Sequence, residues 1–170
     1  MPQRQALPRR WLMTDERMGG ALLAAVTRLP EDAGIVFRHH SLAAEARRHL
    51  FEKVRAAHSG LLLLGGSAEL ARTWGADGSH GRHSGATTAP AHDLAEIRAA
   101  EAAGAALVFL SPVFATRSHP DAPSLGPDGF AALARRTQLP VIALGGMNEK
   151  RAEGLADAYG WAGIDAWLPT

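Results

Sequence analysis

The sequence predicts a single α/β domain, folded as an abridged (β/α)8 barrel of the TIM type. Short apolar segments alternate along the chain with segments rich in alanine, arginine and glutamate, which is the pattern of alternating strands and helices. Several of the apolar segments carry no polar residue, as in parallel sheets that are buried on both faces. A complete barrel of this kind usually needs at least ~200 residues, and this chain has 170. We therefore expect a barrel that lacks two helices.

Eight strands are predicted, and the patterns at the fifth and the eighth are weaker than those at the other six. In chain order the strands occupy residues 11–14, 35–38, 61–64, 76–80, 85–88, 107–110, 141–144 and 163–167. Helical composition lies between them at residues 20–28, 42–58, 68–74, 94–103, 130–136 and 149–158. In the second of these helices, apolar residues recur at every fourth position from Leu42 to Val54, with charged residues between them.

The two missing helices have identifiable places in the sequence. Residues 81–90 are too few and too rich in glycine, serine and threonine to form a helix, so we expect a short fourth crossover. The last predicted strand is followed by only three residues, so we expect no closing helix. A doubly wound open sheet is the alternative, because periodicity alone does not separate the two architectures. No repeat or linker divides the chain, and we expect one domain over residues 1–170.

Composition narrows the class of protein. Hydrophobic residues make up 46% of the chain and charged residues 21%, which is ordinary for a globular protein. A formal net charge of +1 gives no reason to expect nucleic acid or a membrane surface as partner. The chain has no cysteine, which excludes disulfides and thiolate chemistry, and no apolar run is long enough to span a bilayer. Because the N-terminal segment lacks the apolar core of a signal peptide, we expect a cytoplasmic protein, either a monomer or a homo-oligomer.

Candidate binding residues follow the predicted strands, where both α/β architectures collect their binding groups. Arginine forks, hydroxyl groups and glycine-rich backbone all favour phosphate, so the expected partner is a small phosphorylated substrate. The alternative for each residue is an ordinary solvated loop position. The candidates for binding are Arg38, His83, His92, Thr116, Arg117, Ser118, Gly145 and Gly146.

Histidine is the predicted source of acid–base chemistry, because its proton exchanges near neutral pH. The catalytic candidates are His40, His80 and His119. No acidic residue accompanies the histidine pairs and no HExxH motif occurs, so we expect no zinc site. Magnesium needs oxygen ligands, and the loops after the strands contain few carboxylates. A G-x-S-x-G nucleophile motif and a G-x-G-x-x-G dinucleotide motif are both absent.

The order of these motifs resembles the thiamine phosphate synthase/TenI family of (β/α)8 barrels. The segment SPVFATRSHPDAPSLGPDGFAAL is similar to the family's G-P-V-F-x-T-x-T-K…A-x-x-L-G segment, and LPVIALGGMN resembles its P-V-x-A-I-G-G-I segment. WLMTD, GADGSHG and AHDLAEIRAAEAAGA resemble three further family segments less closely. The likeness extends from about Trp11 to Trp167.

The resemblance implies a specific set of ligand contacts. The family's synthase joins a pyrimidine diphosphate to a thiazole phosphate and releases pyrophosphate with Mg²⁺. By position, Arg38 would meet pyrophosphate and His80 would contact the pyrimidine. Thr116 and Ser118 would supply the two loop hydroxyls, and the Gly145–Gly146 pair would hold the phosphate of the thiazole. The resemblance therefore implies a protein of thiamine biosynthesis.

Several family positions differ in this chain. Gly65 and Gly66 stand where the family has Asn-Asp, and His119 stands where it has lysine. Leu168 occupies the place of a serine, and Pro112 that of the TenI histidine. Three functions therefore stay open: a synthase, which alone would need Mg²⁺, a metal-free histidine-based isomerase of a thiazole phosphate, and a phosphate-binding protein without catalysis.

Overall fold

The structure is a computed structural model that describes residues 6–117, 120–121 and 123–169. Eight parallel strands close into a barrel in chain order, and the last strand pairs with the first. The strands are β1 (Arg10–Met13), β2 (Gly34–Phe37), β3 (Leu62–Gly65), β4 (Gly78–His80), β5 (Thr88–Ala91), β6 (Leu107–Leu110), β7 (Val141–Leu144) and β8 (Gly160–Gly163). This closed order confirms the predicted barrel and excludes the open sheet.

The helices confirm the abridged form of the barrel. In the described ranges they are α1 (Leu22–Arg28), α2 (Ala44–Ala57), α3 (Ala68–Trp74), α4 (Leu94–Ala102), α5 (Gly126–Ala134) and α6 (Glu149–Glu153). A 3-10 helix, Glu16–Ala21, precedes α1, and another, Asp165–Trp167, follows β8. Residues 81–87 connect β4 to β5 without a helix, and the described residues after β8 form no α-helix.

The fifth strand lies later in the chain than predicted. It begins at Thr88 and includes Pro90, a residue type that removes a ladder donor and counts against a strand in the sequence. The carbonyl of Thr88 accepts from Gly81 on the β4 side, and Pro90 faces the same side two residues later. Because β4 pairs with β5 only at His80 and Thr88, the missing N–H of Pro90 interrupts no bond there.

The eighth strand lies earlier than predicted, at Gly160–Gly163 instead of residues 163–167. Glycine is uncommon in strands, so Gly160 and Gly163 make this strand hard to recognise from the sequence. Gly160 is nevertheless required, because a Cβ there would lie 1.9 Å from the carbonyl oxygen of Arg9. The apolar residues that suggested a strand belong to the 3-10 helix. There Trp167 stacks on Trp161 with ring centroids 5.0 Å apart and donates its indole N–H to the carbonyl of Trp11.

Three helix boundaries also differ from prediction. Helix α5 begins at Gly126 instead of residue 130, because Pro127 suits the first turn of a helix as well as a loop. Helix α6 ends at Glu153, before Gly154, five residues short of the predicted end. Leu42, counted in the predicted apolar face of α2, lies before that helix and is 36% exposed.

Alternate residues of the strands fill the barrel interior below the loops. Its core consists of Trp11, Met13, Val36, Leu63, Leu107, Phe109, Ile142 and Ala162. The indole of Trp11 meets the ring of Phe109 edge to face at 5.2 Å, and Gly34 leaves the space that the indole occupies. Because these side chains fill the lower half of the barrel, a ligand would bind above them, at the C-terminal ends of the strands.

None of the helices in the described ranges has the length and hydropathy needed to cross a lipid bilayer.

Candidate active site at the barrel mouth

A cavity of about 1070 Å³ opens at the C-terminal ends of the strands; we call it the mouth. Residues from the loops after β1, β2 and β4 to β8 line it. They include the binding candidates Arg38, His92, Thr116, Arg117, Gly145 and Gly146, and the catalytic candidate His80. Ser118 and His119 lie outside the described residues, so their predicted roles stay predictions.

Gly145 and Gly146 fit the loop after β7 closely against the loop after β6. Their φ angles are 102° and 60°, in the region that glycine adopts without strain. A Cβ at Gly145 would lie 2.7 Å from Cα of Pro112, and one at Gly146 would lie 2.8 Å from the carbonyl oxygen of Ala115. Phe114 donates its backbone N–H to the carbonyl of Gly145 at 3.1 Å. The glycine pair therefore joins the two segments that the sequence suggested for phosphate.

Arg151 is a mouth residue that the sequence reasoning missed. It lies in α6, its Nη1 donates to the carbonyl of Gly146, and its guanidinium carbon lies 4.6 Å from the centre of the Phe114 ring. Its backbone N–H donates to Oδ1 of Asn148, the residue that caps α6. These contacts hold a permanent cation beside the glycine pair. A signal existed in the sequence, because the first helical turn after a glycine-rich loop lies at the same edge of the barrel.

Arg38, the predicted pyrophosphate contact, is already engaged by protein groups. Its Nη2 lies 3.0 Å from Oδ2 of Asp15, and its Nε donates to the carbonyl of Thr14 at 2.8 Å. Burial lowers the pKa of Arg38, while the nearby carboxylate of Asp15 opposes that shift. The pair keeps Arg38 charged and oriented, and it leaves fewer of its N–H groups for a ligand.

Carboxylates are present at the mouth, contrary to the expectation from the sequence. Asp15 follows β1 beside Arg38, and Asp165, which follows β8, lines the cavity directly. Nη2 of Arg17 lies 3.4 Å from Oδ1 of Asp165. Sequence patterns do not point to these acids, because residues 163–167 have the composition of a strand and Asp15 stands alone after the first strand. Both carboxylates contact arginines.

His80 lies at the end of β4 in an apolar and positively charged setting. Its ring meets Phe109 edge to face at 5.2 Å, and Nδ1 lies 2.9 Å from Oγ1 of Thr88. Burial, followed by the positive charges of Arg38 and Arg82, lowers the pKa of His80 to about 3. The imidazole is therefore neutral at physiological pH, and it can form hydrogen bonds without carrying a charge.

His92 lies on the neighbouring strand edge, after β5. Its Nδ1 lies 2.8 Å from the carbonyl oxygen of Ser111, and its backbone N–H donates to Oε2 of Glu96 at 2.7 Å. Because a carbonyl oxygen only accepts hydrogen bonds, Nδ1 carries the hydrogen. His92 and His80 thus place two imidazoles on the same side of the mouth.

Two candidate histidines of the described residues, His40 and His83, lie outside the lining of the mouth. His40 packs over Gly65, so that a Cβ there would lie 3.2 Å from its Nε2. Burial, then Arg47 and Arg38, lowers the pKa of His40. Nε2 of His83 lies 2.8 Å from the carbonyl oxygen of Gly66, which connects the helix-free fourth crossover to β3.

The residues at the mouth do not fit a magnesium ion. Mg²⁺ requires several oxygen ligands in near-octahedral geometry. Asp15 and Asp165 are occupied by arginines, and the described residues contain no group of three or more His, Cys, Asp or Glu able to hold a metal ion. Gly65 and Gly66, at the end of β3, provide no side-chain ligand.

Comparison with known proteins shows to which family this barrel belongs. Residues 12–166 match the sequence profile of the family described as thiamine monophosphate synthase. The chain belongs to the thiamine monophosphate synthase family. The resemblance noted in the sequence motifs is thereby confirmed.

Individual relatives agree with the family. The chain is 33% identical over 154 residues to the thiamine biosynthesis bifunctional protein ThiM/ThiE of Symbiobacterium thermophilum, a match that covers 79% of this chain and 32% of that protein. It is 38% identical over 63 residues to the thiamine-phosphate synthase of Chloroflexus aurantiacus, which covers 36% of this chain and 29% of that one. In both relatives the matched segment spans less than a third of the relative's own length.

A solved structure shows the same fold. The thiamine phosphate pyrophosphorylase from Pyrococcus furiosus superposes with a TM-score of 0.78 at 20% sequence identity, covering 95% of this chain and 88% of that one. This family member therefore has the (β/α)8 fold of that protein even though residues 81–87 contain no helix.

Proposed function

We propose that this chain binds a thiazole phosphate at the barrel mouth and acts in thiamine biosynthesis without a metal ion. The observation that carries the proposal is the glycine pair Gly145–Gly146, which lies between Arg151 and the loop after β6 in a member of this family. The phosphate would lie beside this pair. The heterocycle would extend toward His80 and the apolar top of the barrel core.

The charge of the mouth supports an anionic ligand. Four arginines line it, Arg17, Arg38, Arg117 and Arg151, against the single carboxylate of Asp165. Neither Arg117 nor Arg151 forms an ion pair with a carboxylate of the described residues. A phosphate dianion that contacts them would not have to break an existing ion pair, and charge-assisted hydrogen bonds of this kind are among the strong ones.

The oxygen ligands available near the mouth do not favour binding of Mg²⁺. Both carboxylates near the cavity contact arginines, so a cation there would have to break existing ion pairs. A magnesium-dependent synthase remains the second candidate, supported by the family and by the position of Arg38 at the mouth. A phosphate-binding protein without catalysis is the third.

Calorimetry with three ligands tests the binding proposal. A thiazole phosphate, the corresponding unphosphorylated thiazole alcohol and inorganic phosphate are titrated into the intact chain. We expect the thiazole phosphate to bind at least tenfold more tightly than either fragment, because it alone contacts both the glycine pair and the apolar region. Equal affinity for the alcohol and the phosphate ester would contradict the proposal.

A pair of variants locates the site. Arg151→Met should weaken thiazole phosphate binding by roughly 10- to 150-fold, since a hydrogen bond to a charged group contributes roughly 1.5–3 kcal/mol. Arg98→Met, which removes an exposed arginine on α4 paired with Glu101, is the matched control and should leave the affinity unchanged. Synthase turnover with a pyrimidine diphosphate that disappears with EDTA and returns with Mg²⁺ would favour the second candidate instead.

A further inference from the structure

His39 has an unusual backbone conformation directly after Arg38. Its φ is 46°, and in the described ranges every other residue with a positive φ is a glycine. Histidine enters this region more often than most residue types, but the conformation is sparsely populated and persists only where the surrounding structure enforces it. Strain of this kind collects at functional sites, so the neighbours of His39 decide what it does.

Packing and a hydrogen bond hold His39 in this conformation. The residue is 4% exposed, and its ring stacks on Phe37 with centroids 5.0 Å apart and an angle of 17° between the planes. Its Nδ1 lies 3.0 Å from Oγ1 of Thr14, a fully buried residue that follows β1. Burial lowers the pKa of His39, although the carboxylates of Glu16 and Asp15 oppose the shift, so the ring is neutral near neutral pH.

Thr14 connects His39 to Arg38 through two further hydrogen bonds. Its Oγ1 accepts the backbone N–H of Arg38 at 2.9 Å, and its carbonyl oxygen accepts Nε–H of Arg38 at 2.8 Å. In either tautomer of the His39 ring, the contact with Nδ1 turns the hydroxyl so that a lone pair faces the N–H of Arg38. Both the backbone and the side chain of Arg38 are therefore held by a residue that His39 orients.

The guanidinium of Arg38 keeps three of its five N–H groups for a ligand. Thr14 accepts from Nε, Asp15 accepts from Nη2, and within the described part of the chain no group binds the other three. Arg38 lines the mouth, and its side chain is 29% exposed. A planar fork of this kind can bind two oxygens of a phosphate group at once. Binding costs less ordering when the fork is already fixed.

We propose that His39 is a positioning residue, which acts through Thr14 to aim the guanidinium of Arg38 at the phosphate group of a ligand in the mouth. The contacts with Phe37 and Thr14 maintain the strained backbone of His39, and that backbone keeps Arg38 ordered before the ligand arrives. The inference rests on the proposed function in one respect, that an anionic ligand enters the mouth.

The test observes Arg38 directly. Inorganic phosphate is titrated into the intact chain, and the Nε–H signal of Arg38, assigned by its loss in Arg38→Lys, is followed by ¹⁵N NMR. In the wild type this signal should shift with phosphate and exchange slowly with water, because Nε–H is bonded to Thr14.

Two variants remove the contact between His39 and Thr14. His39→Ala and Thr14→Val should each speed the exchange of Arg38 Nε–H and weaken phosphate binding roughly 2- to 12-fold, since a freed side chain must be ordered again. Combining them should cost no more affinity than either change alone, because both act through one hydrogen bond.

Two further variants separate positioning from a structural role. His39→Asn should restore slow exchange and phosphate affinity, because asparagine tolerates a positive φ and its amide can bond to the Thr14 hydroxyl. His58→Ala is the matched control, since His58 is also buried, at 5% exposure, and contacts the carbonyl oxygen of Ala33 at the opposite end of the barrel. It should lower the free energy of unfolding and leave the Arg38 signal and the phosphate affinity unchanged.

The outcomes distinguish this inference from the proposed function. Wild-type phosphate affinity in both His39→Ala and Thr14→Val would overturn the inference, as would an Arg38 signal in the wild type that does not respond to phosphate. If His39→Ala fails to fold, Thr14→Val alone decides. If thiazole phosphate does not bind while inorganic phosphate shifts the Arg38 signal and the variants behave as expected, the proposed function is wrong and the role of His39 stands.

Discussion

Asp15 and Arg38 form an ion pair that joins the ends of the first two strands, with Oδ2 of Asp15 3.0 Å from Nη2 of Arg38. The two residues are 23 positions apart in the chain. Both side chains are about three-quarters buried, with 25% and 29% exposure. The pair therefore orients a cation at the mouth and at the same time cancels part of its charge.

The variant Asp15→Asn separates these two effects. Loss of the partly buried pair should lower the free energy of unfolding by about 1 kcal/mol. The affinity for inorganic phosphate should rise severalfold at low salt, because the mouth loses a negative charge. Chemical denaturation and calorimetry measure the two quantities. Asp32→Asn, which removes the 77% exposed partner of Arg10, should change neither. Weaker phosphate binding by Asp15→Asn would show that orientation of Arg38 outweighs charge.

His80 should make the stability of the protein depend on pH. Its pKa is about 3 in the folded chain and ordinarily about 6.5 in the unfolded chain. Between these values the unfolded state binds more protons, so stability is complete above pH 6.5 and falls as the pH decreases toward 3. His80→Gln should remove this contribution, whose slope cannot exceed about 1.4 kcal/mol per pH unit.

Urea denaturation at pH 7.5, 6.0 and 4.5 measures this contribution as the difference between the wild type and His80→Gln. Burial also lowers the pKa of His39, His40 and His58, so the variant should keep part of the acid sensitivity. Parallel stability curves for the two proteins over this range would show that His80 is not held neutral by the fold.

Gly145 should not tolerate even a methyl group. Gly145→Ala adds a Cβ that would lie 2.7 Å from Cα of Pro112, at a φ of 102°. Backbone atoms cannot rotate away, so the free energy of unfolding should fall by about 2 kcal/mol or more. The loops after β6 and β7 should separate, and the affinity for phosphate should fall as well.

Gly104→Ala is the matched control for that substitution. Gly104 has a φ of 80°, but a Cβ there would meet nothing within 4 Å. Backbone strain alone should lower the free energy of unfolding of Gly104→Ala, by about 1 kcal/mol. The affinity for phosphate should not change. If the two variants lose equal stability by denaturation, close approach to Pro112 is unimportant.

Arg47 should be the arginine whose removal costs most stability. It is 8% exposed and donates to the carbonyl of Arg38, the residue after β2, at 2.7 Å and to that of Gly65, the last residue of β3, at 2.6 Å. Arg47→Met leaves both carbonyls without their donor, at about 1–3 kcal/mol each. Denaturation of Arg48→Met, one residue later and exposed, should give a change within about 0.5 kcal/mol. A small effect at both positions would mean that water replaces the guanidinium.

The barrel could be predicted because each strand pattern lies within a few neighbouring residues of the sequence. Six of the eight strands overlap the predicted segments closely, since an apolar run such as Leu107–Leu110 identifies itself without reference to other strands. The two displaced strands are those whose pairing partners decide their position. Pro90 is tolerated only because β4 ends early, and Gly160 is required only because Arg9 lies against it.

The sequence predicts which types of residue lie at the candidate site and after which strands they come. It does not predict which of these residues contact one another. Arg38, His80, His92 and the glycine pair follow strands, and parallel strands bring their ends together whatever the residues are. Arg151 was missed because a helix position, not a strand end, carries it. No rule of sequence spacing states that Asp15 would meet Arg38 or that Ser111 would fix the tautomer of His92.

The number and order of the strands, the lack of a helix in residues 81–87 and the family of the chain can be predicted from the sequence alone. These follow from hydropathy, glycine content and motif order, which act over a few neighbouring residues. Which charges cancel, as those of Asp15 and Arg38 do, and which ring nitrogens stay available can be seen only in the folded chain. Those outcomes depend on distances of about 3 Å between groups far apart in the chain, which barrel closure sets and no local pattern encodes.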